Sequence, residues 1–275
     1  MDQGHDDGRG KNGAGLHVIR MKKIYFLSDA HLGSRAIADI GAREKRLCAF
    51  LDSIKDDAQA VYMLGDMFDF WFEYRHLVPK GMVRFLGKLA ELTDSGVEVH
   101  LFTGNHDIWT FGYLEQECGV KIHHGPETVD LKVGDKTSRF FLAHGDGLGE
   151  KSRSFRLIRL IFHNRTCQWL FSNVFPANWG AELGMRWAYY SRKKHEGYIE
   201  NIDPATDPLV CFAKEHYREH PDINCYVFGH RHVEFDLIMS RSCHMVILGD
   251  SFQQCTYACW NGEEMVLDNF NRIST

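Results

Sequence analysis

The sequence predicts an α/β fold whose strands deliver a common set of loops to one edge, and three observations carry that expectation. First, β-prone runs alternate with helical periodicity in a βαβαβ rhythm, which implies parallel strands joined by crossover helices. Second, five apolar runs each end in a short loop rich in Asp, Asn or His. They are Ile24-Tyr25-Phe26-Leu27 before Asp29 and His31, Val61-Tyr62-Met63-Leu64 before Asp66, and Val99-His100-Leu101-Phe102 before Asn105, His106 and Asp107. Phe140-Phe141-Leu142-Ala143 before His144 and Cys225-Tyr226-Val227-Phe228 before His230 and His232 complete the set. In open α/β sheets the loops at the carboxyl ends of the strands build the site, so these loops point to one shared pocket. Third, residues 151–200 read as helical and interrupt the strands.

Residues 1–20 are rich in Gly, Asp and His and lack apolar periodicity, so this leader is expected to be disordered, with Met21 an alternative start. The domain expected over 21–275 opens on a strand at Lys23–Leu27. Leu47, Phe50, Leu51 and Ile54 recur at helical spacing and predict a helix over Ile37–Ile54, followed by a strand over Ala60–Leu64. A helix over Met82–Leu92 leads through the turn Asp94-Ser95-Gly96 to the strand that ends at Phe102. After a short helix near Ile108–Cys118, strands over Glu127–Val133 and Arg139–Ala143 flank Gly134-Asp135, a hairpin signal. Beyond the helical insertion, a helix over Pro208–Glu219 precedes the strand Cys225–Phe228. Short strands over His232–Ser240, His244–Leu248, Gln253–Cys259 and Glu263–Leu267 close the chain, mostly antiparallel by their short connections.

Charge narrows the partners. Residues 151–195 hold nine Lys or Arg against the single acid Glu182, a net +8 that leaves −13 for the rest of a chain of net charge −5. An acidic whole with one basic segment argues against general coating of nucleic acid and for a local anionic partner. The eight cysteines form no C-x-x-C pair and mostly sit in apolar runs, as reduced thiols of a cytoplasmic protein do. No apolar run approaches the roughly 18 residues of a membrane span and the N-terminus lacks a signal-peptide core. The expectation is a cytoplasmic protein whose membrane contact, at the inner face of the cytoplasmic membrane, is peripheral.

In an extended segment residues i and i+2 point the same way, so Asp29-Ala30-His31 and His230-Arg231-His232 each read as a half-site with two ligands on one side. Carboxylates, imidazoles and an Asn carbonyl suit Mn²⁺, Fe²⁺ or Zn²⁺ better than Ca²⁺, and the lack of Cys ligands argues against structural zinc. One carboxylate can bridge two ions roughly 3.5 to 4 Å apart, the spacing used in phosphoryl transfer. Asp66, between the half-sites in sequence, is the candidate bridge.

The blocks Asp29-x-His31, Gly65-Asp66-x-x-Asp69, Gly104-Asn105-His106-Asp107, His144-Gly145-Asp146 and Gly229-His230-x-His232 resemble, in their order over residues 29–232, those of the calcineurin-like metallophosphoesterases. The resemblance implies a four-layer α-β-β-α sandwich and two divalent ions, Mn²⁺ foremost, with Fe²⁺ and Zn²⁺ as alternatives. It implies one ion held by Asp29, His31, Asp66 and His232 and a second by Asp66, Asn105, His144 and His230. It places His106 beside the substrate as proton donor or phosphate clamp, with Asp107 orienting its ring, and water attacking phosphorus in line. Asp69 reads as support for Asp66 rather than as a ligand.

The longer blocks Phe26-Leu27-Ser28-Asp29-Ala30-His31-Leu32-Gly33, Gly65-Asp66-Met67-Phe68-Asp69-Phe70-Trp71 and His144-Gly145-Asp146-Gly147 resemble the UDP-2,3-diacylglucosamine pyrophosphatase branch, which serves lipid A biosynthesis. That branch inserts helices where this chain has residues 151–200, capping the site and receiving the acyl chains. The implied reaction is hydrolysis of the diphosphate to UMP and 2,3-diacylglucosamine 1-phosphate. One position departs from the branch: its best-known members carry Arg where His106 stands, whereas His is the residue of the wider family.

The insertion has suitable residues. Ser152, Arg156, Arg159 and His163 share a polar, basic helix face, and Phe155, Ile158, Ile161 and Phe162 share the opposite apolar face. Trp169, Leu170, Phe171, Phe175 and Trp179 add aromatic surface, and Leu183, Trp187 and Tyr190 repeat at helical spacing. Candidate substrate contacts are Arg156, Arg159, Trp187, Ser191, Lys193 and Lys194. Such an insertion suits a lipid-linked nucleotide drawn from an anionic membrane surface.

Plainer readings stand beside these. A lone Asp or His at a strand end is most often a turn or capping residue, and only the ordered set of blocks outweighs that. His123-His124, His216, His220 and His244 read as surface histidines. The aromatic insertion is also readable as the core of a helical subdomain or as a homodimer interface. A phosphoprotein phosphatase would use the same metals; a nuclease would want basic charge beyond one segment, so no stable nucleic-acid partner is expected. A non-catalytic scaffold of this fold would be expected to have lost ligands, and none is missing here.

Overall fold

The computed structural model describes residues 22–36, 38–149, 153–195 and 202–271, the side chains of 153–156 and 191–195 excepted. The expected disordered leader over 1–20 lies outside the described residues. Two sheets stack face to face. The first contains β1 (Lys23–Leu27), β2 (Ala58–Leu64), β3 (Glu98–Phe102), β4 (Lys121–His123), β10 (Thr256–Trp260) and β11 (Met265–Asn269), in the order β11-β10-β1-β2-β3-β4. The second contains β5 (Glu127–Val133), β6 (Lys136–Ala143), β7 (Cys225–Phe228), β8 (Phe235–Ser240) and β9 (Cys243–Ile247), in the order β5-β6-β7-β9-β8. Within each sheet the strands that end in the Asp, Asn and His loops run parallel, β1 to β2 to β3 and β6 to β7. Helices α1 (Ile40–Ile54), α2 (Val83–Asp94), α3 (Tyr113–Cys118) and α7 (Pro208–Glu219) complete the layers.

Strand alternation explains the four layers. Tyr25, Leu27, Val61, Met63, Val99 and Leu101 face α1 and α2, where Leu47, Phe50, Leu51, Phe85, Leu89 and Leu92 meet them. Their neighbours Ile24, Phe26, Tyr62, Leu64 and Phe102 face the second sheet, against Phe140, Leu142, Val227 and Val246. The other side of that sheet, with Phe141, Tyr226, Phe228, Met245 and Ile247, packs on Leu209, Val210 and Ala213 of α7. Central strands buried on both faces read as continuous apolar runs, so the α-β-β-α sandwich implied by the resemblance is the architecture observed.

Several element bounds shift. Helix α1 begins at Ile40, where the Asp39 side chain accepts from the Ala42 amide, and the helix expected near Ile108 begins at Tyr113. Strand β4 was expected as loop; His123 is no surface residue but stacks on Phe102 at 4.4 Å and joins His100 Nδ1 at 2.9 Å and Glu127 at 2.9 Å. His216 is half-buried and contacts the Tyr226 hydroxyl at 3.0 Å. The strand expected from His232 begins at Phe235, and Gln253 and Gln254 lie in a turn before β10. Strand β9 pairs parallel with β7, against the mostly antiparallel expectation for the tail, whereas β8, β10 and β11 follow it.

The insertion forms α4 (Arg153–His163), α5 (Arg165–Val174) and α6 (Ala177–His195). Asn164 separates the first two and accepts from the amides of Thr166 (2.9 Å) and Cys167 (3.0 Å), an ordinary N-cap. The insertion seats on the core by aromatic contacts, Trp109 on Phe162 (5.2 Å) and Phe72 on Phe171 (5.0 Å). Gly184 lets α6 close on Phe70, since a Cβ there would lie 2.1 Å from the ring.

Candidate metal centre

Every loop named above opens on the same edge. Asp29 and His31 follow β1, Asp66 and Asp69 follow β2, Asn105, His106 and Asp107 follow β3, His144 follows β6, and His230 and His232 follow β7. Their backbones are not extended. Asp29, His31, Asp66, His230 and His232 have φ of 53°, 44°, 53°, 72° and 52°, a left-handed conformation that non-glycine residues adopt rarely and at a cost. Strain concentrated on ligand-type residues is the mark of a site held in place by its surroundings.

The side chains gather into groups. Asp29, His31 and His232 present ligand atoms within 4.8 Å of one another, as do Asp66, His144 and His230. The oxygen Oδ2 of Asp66 lies 3.8 Å from His31 Nε2 and 3.4 Å from His144 Nε2, so it faces both groups. His230 and His232 therefore part company: the half-site expected from their i, i+2 spacing is corrected, because the left-handed turns send each ring to a different group. Asp29-x-His31 does stay together. A third group, His31, Asp69 and His106, also lies within 4.8 Å.

Hydrogen bonds settle the ring orientations. His144 Nδ1 is 2.8 Å from the Leu64 carbonyl, which can only accept, so Nδ1 donates and Nε2 faces Asp66. His106 Nδ1 donates likewise to the Asp69 carbonyl at 2.8 Å, with its ring edge-on to His31 at 5.0 Å. The expectation that Asp107 orients that ring is corrected. Asp107 Oδ1 accepts from the amides of Gly104 (2.7 Å) and Asp66 (3.2 Å), and Oδ2 from Met67 (2.8 Å) and Phe68 (3.4 Å). It braces two loops against each other, and the backbone of Asp69 orients His106.

Electrostatics follow from this crowding. Burial opposes charge on Asp29, yet His232 beside it holds the carboxyl well below its usual range. Asp66 is lowered too, by His144 and His106 against burial. His144 is raised well above the ordinary imidazole value because Asp66 outweighs burial, whereas burial and neighbouring His144 push His230 down to about 4. Burial and the Asp66 charge lift Asp107 to about 7. Cations and protons compete for these nitrogen and oxygen lone pairs.

The donor set fits divalent metal. Oδ1 of Asn105 is buried with no hydrogen-bond partner, an orphan acceptor beside two clusters of oxygen and imidazole donors. Gly104 permits the approach, because a Cβ there would meet Asp66 Oδ1 at 2.2 Å. The family model described as calcineurin-like phosphoesterase matches residues 22–234. The chain belongs to the calcineurin-like phosphoesterase family. It is thus a metal-dependent hydrolase of a family whose chemistry uses divalent ions. A relative from Porphyromonas gingivalis, 42% identical over 90% of this chain and 97% of its own length, is named UDP-2,3-diacylglucosamine hydrolase. One from Neisseria meningitidis serogroup C with the same name is 28% identical over 84% of this chain and 90% of its own. A dimetal phosphatase of Danio rerio superposes with a TM-score of 0.44 at 16% identity, covering 90% of this chain and 96% of that one.

Around this phosphoesterase centre stand residues with no signal in the motif reading. Phe252 lies edge-on to His31 (6.0 Å) and His232 (5.6 Å), and Gln254 Nε2 donates to the His232 carbonyl at 2.5 Å. Ser251 ties this loop to Ser28 and Asp29, and Asp250 folds it by accepting from the amides of 252–254. A signal was present: Met245-Val246-Ile247-Leu248 is a further apolar run ending in Gly-Asp. From the insertion, Trp187 approaches His106 at 5.7 Å and Arg159 Nη1 donates to the Asp146 carbonyl at 3.0 Å. The side chains of Arg156, Ser191, Lys193 and Lys194 lie outside the described residues. Glu182, the single acid of residues 151–195, makes a two-pronged pair with Arg35 of the loop after β1 at 2.9 Å.

Proposed function

We propose that this phosphoesterase hydrolyses the diphosphate of UDP-2,3-diacylglucosamine, releasing UMP and 2,3-diacylglucosamine 1-phosphate. The observation that carries the reading is an apolar cavity of about 310 Å³ beside His106, lined by Phe70, Phe72, Trp109, Phe162, Phe171 and Trp187. Apolar walls of that size beside a phosphoester centre suit acyl chains, each buried methylene being worth about 0.8 kcal/mol. The names of the relatives point to the same substrate class.

In this reading Asp29, His31, Asp66 and His232 hold one ion and Asp66, Asn105, His144 and His230 the other, Mn²⁺ foremost. When bound, the ions supply Lewis-acid stabilisation of charge on the diphosphate oxygens. His106, its Nδ1 committed to Asp69, carries the proton to the leaving oxygen at Nε2. Arg159 and Trp187 line the approach, and helices α4 to α6 cap the site. Among the described residues no helix is long and apolar enough to cross a membrane. Exposed Leu160, Trp169, Trp179 and Tyr190 on a basic insertion would instead rest on an anionic membrane at its cytoplasmic face.

The test is UMP release with Mn²⁺ from UDP-2,3-diacylglucosamine, run beside p-nitrophenyl phosphate and a phosphopeptide. The lipid nucleotide is expected to be turned over far faster. Hydrolysis of only the other two would sink the substrate assignment and leave a phosphoesterase of different target.

A further inference from the structure

Arg231 stands between the two histidines that turn to different metal groups, and its own side chain turns away from both. Its guanidinium Nη2 lies 2.7 Å from Oδ2 of Asp207, a carboxylate only 3% exposed. The other oxygen of Asp207 accepts from the amides of Leu209 (2.9 Å) and Val210 (3.2 Å), so Asp207 is also the N-cap of α7. Helix α7 is the first described helix after the insertion. Gly149, just before the insertion, abuts Pro208 so closely that a Cβ would lie 2.1 Å from its carbonyl oxygen. Leu209 of the same turn and His230 flank Gly145, their Cδ2 and Cβ atoms lying 3.3 and 3.4 Å from where a Gly145 Cβ would stand.

The loop so anchored is strained. His230 and His232 are both left-handed, at φ of 72° and 52°, and such a conformation persists only where its surroundings over-determine it. The backbone supplies part of that constraint: His230 N donates to Asp29 Oδ2 at 2.9 Å, Gly229 N to the His144 carbonyl at 2.9 Å, and Arg231 N to the Gly229 carbonyl at 2.9 Å. These bonds hold the loop to the two metal groups but not to the rest of the second sheet's helical layer. The side-chain pair adds a tie to the N-terminus of α7, charge-assisted and with the Asp207 carboxylate nearly buried, a class of hydrogen bond stronger than neutral ones.

We propose that Arg231 is a positioning residue: through Asp207 it fixes the His230 and His232 rings against the base of the insertion, and tight metal retention depends on that pair. The proposal rests on His230 and His232 being ligands. It does not depend on the identity of the phosphoester. Outer partners of metal ligands typically change affinity by about 10- to 100-fold.

The test is Mn²⁺ affinity by isothermal titration of the full-length, metal-stripped protein, with thermal unfolding of the same metal-free samples. Arg231→Met keeps the stem and removes the charge; Asp207→Asn keeps a good helix cap and removes the charge. Both are expected to weaken Mn²⁺ binding about 10- to 100-fold, the double variant no further than either single one, and Arg231→Lys to recover most of the loss. Unchanged affinity in Asp207→Asn overturns the proposal even if Arg231→Met fails to fold, as does a lowered unfolding temperature with affinity intact. His230→Ala is the reference. If it too leaves Mn²⁺ binding unaltered, the ligand assignment falls and the proposal with it; if it alone weakens binding, only the Arg231–Asp207 role is refuted.

Discussion

Asp107 and His106 are neighbours in sequence with separate duties. The Asp107 carboxylate accepts four backbone amides, from Asp66, Met67, Phe68 and Gly104, with no exposure to solvent. An amide side chain presents one oxygen instead of two, so Asp107→Asn leaves buried donors unmet and is expected to cost about 1–3 kcal/mol. The checks are the denaturant midpoint and metal content, both of which should fall; a loss of turnover alone would return Asp107 to the service of the His106 ring. His106→Ala should behave in the opposite way. Its ring sits 5.0 Å from His31, and it belongs with Asp69 to the third group rather than to the Asp29 or the Asp66 group. Turnover is expected to drop by about 10² to 10⁴ while metal content, measured by atomic emission, stays whole.

At the scale of the element, β4 illustrates how a short strand is held by side chains rather than by length. His123 bridges His100 and Glu127, and His100 stacks on Tyr62 at 4.2 Å. Burial, helped by the neighbouring His123, pushes the His100 imidazole down to about 4 from its ordinary 6.5. The unfolded chain therefore binds a proton at this position from about pH 6.5 downward, while the folded chain does not until about pH 4. Stability from this group is present above pH 6.5, declines through the interval and levels off below 4. A His100→Gln variant should show a shallower loss of urea midpoint between pH 6.5 and 4 than the parent, and parallel curves would refute it. The strand itself escaped the sequence reading because three residues offer too short a run for period-two alternation, and the parallel partner β3 lies some twenty residues upstream.

For the whole molecule, the centre straddles the sandwich. Asp29, Asp66 and Asn105 come from the first sheet's loops and His144, His230 and His232 from the second's, so metal held by these residues would cross-link two layers that otherwise meet through Phe26, Phe140 and their neighbours. Mn²⁺ at 100 times its dissociation constant should add about 2.7 kcal/mol to folding stability, and the unfolding temperature should climb with Mn²⁺ concentration and fall on chelation. An unfolding temperature indifferent to both would argue against the assigned ligands. The residues proposed as ligands are legible in the sequence, since each closes an apolar run. Phe252, Gln254, the Arg231–Asp207 pair and the Arg35–Glu182 pair are not, for their partners lie 22 to 147 residues distant or join through aromatic packing that leaves no spacing to read.

The sequence by itself determined the strand and helix pattern, the ordered ligand blocks and hence the family, because side-chain periodicity and residue chemistry are local properties. Only the tertiary structure decided that Asp29, His31, Asp66, His230 and His232 reach their places through left-handed backbone. It alone transferred the His106 ring from Asp107 to the Asp69 carbonyl and seated Trp187 beside it. The reason is physical: an unfavourable backbone conformation is tolerated only when distant parts of the chain hold it, and those contacts form only when both sheets are packed.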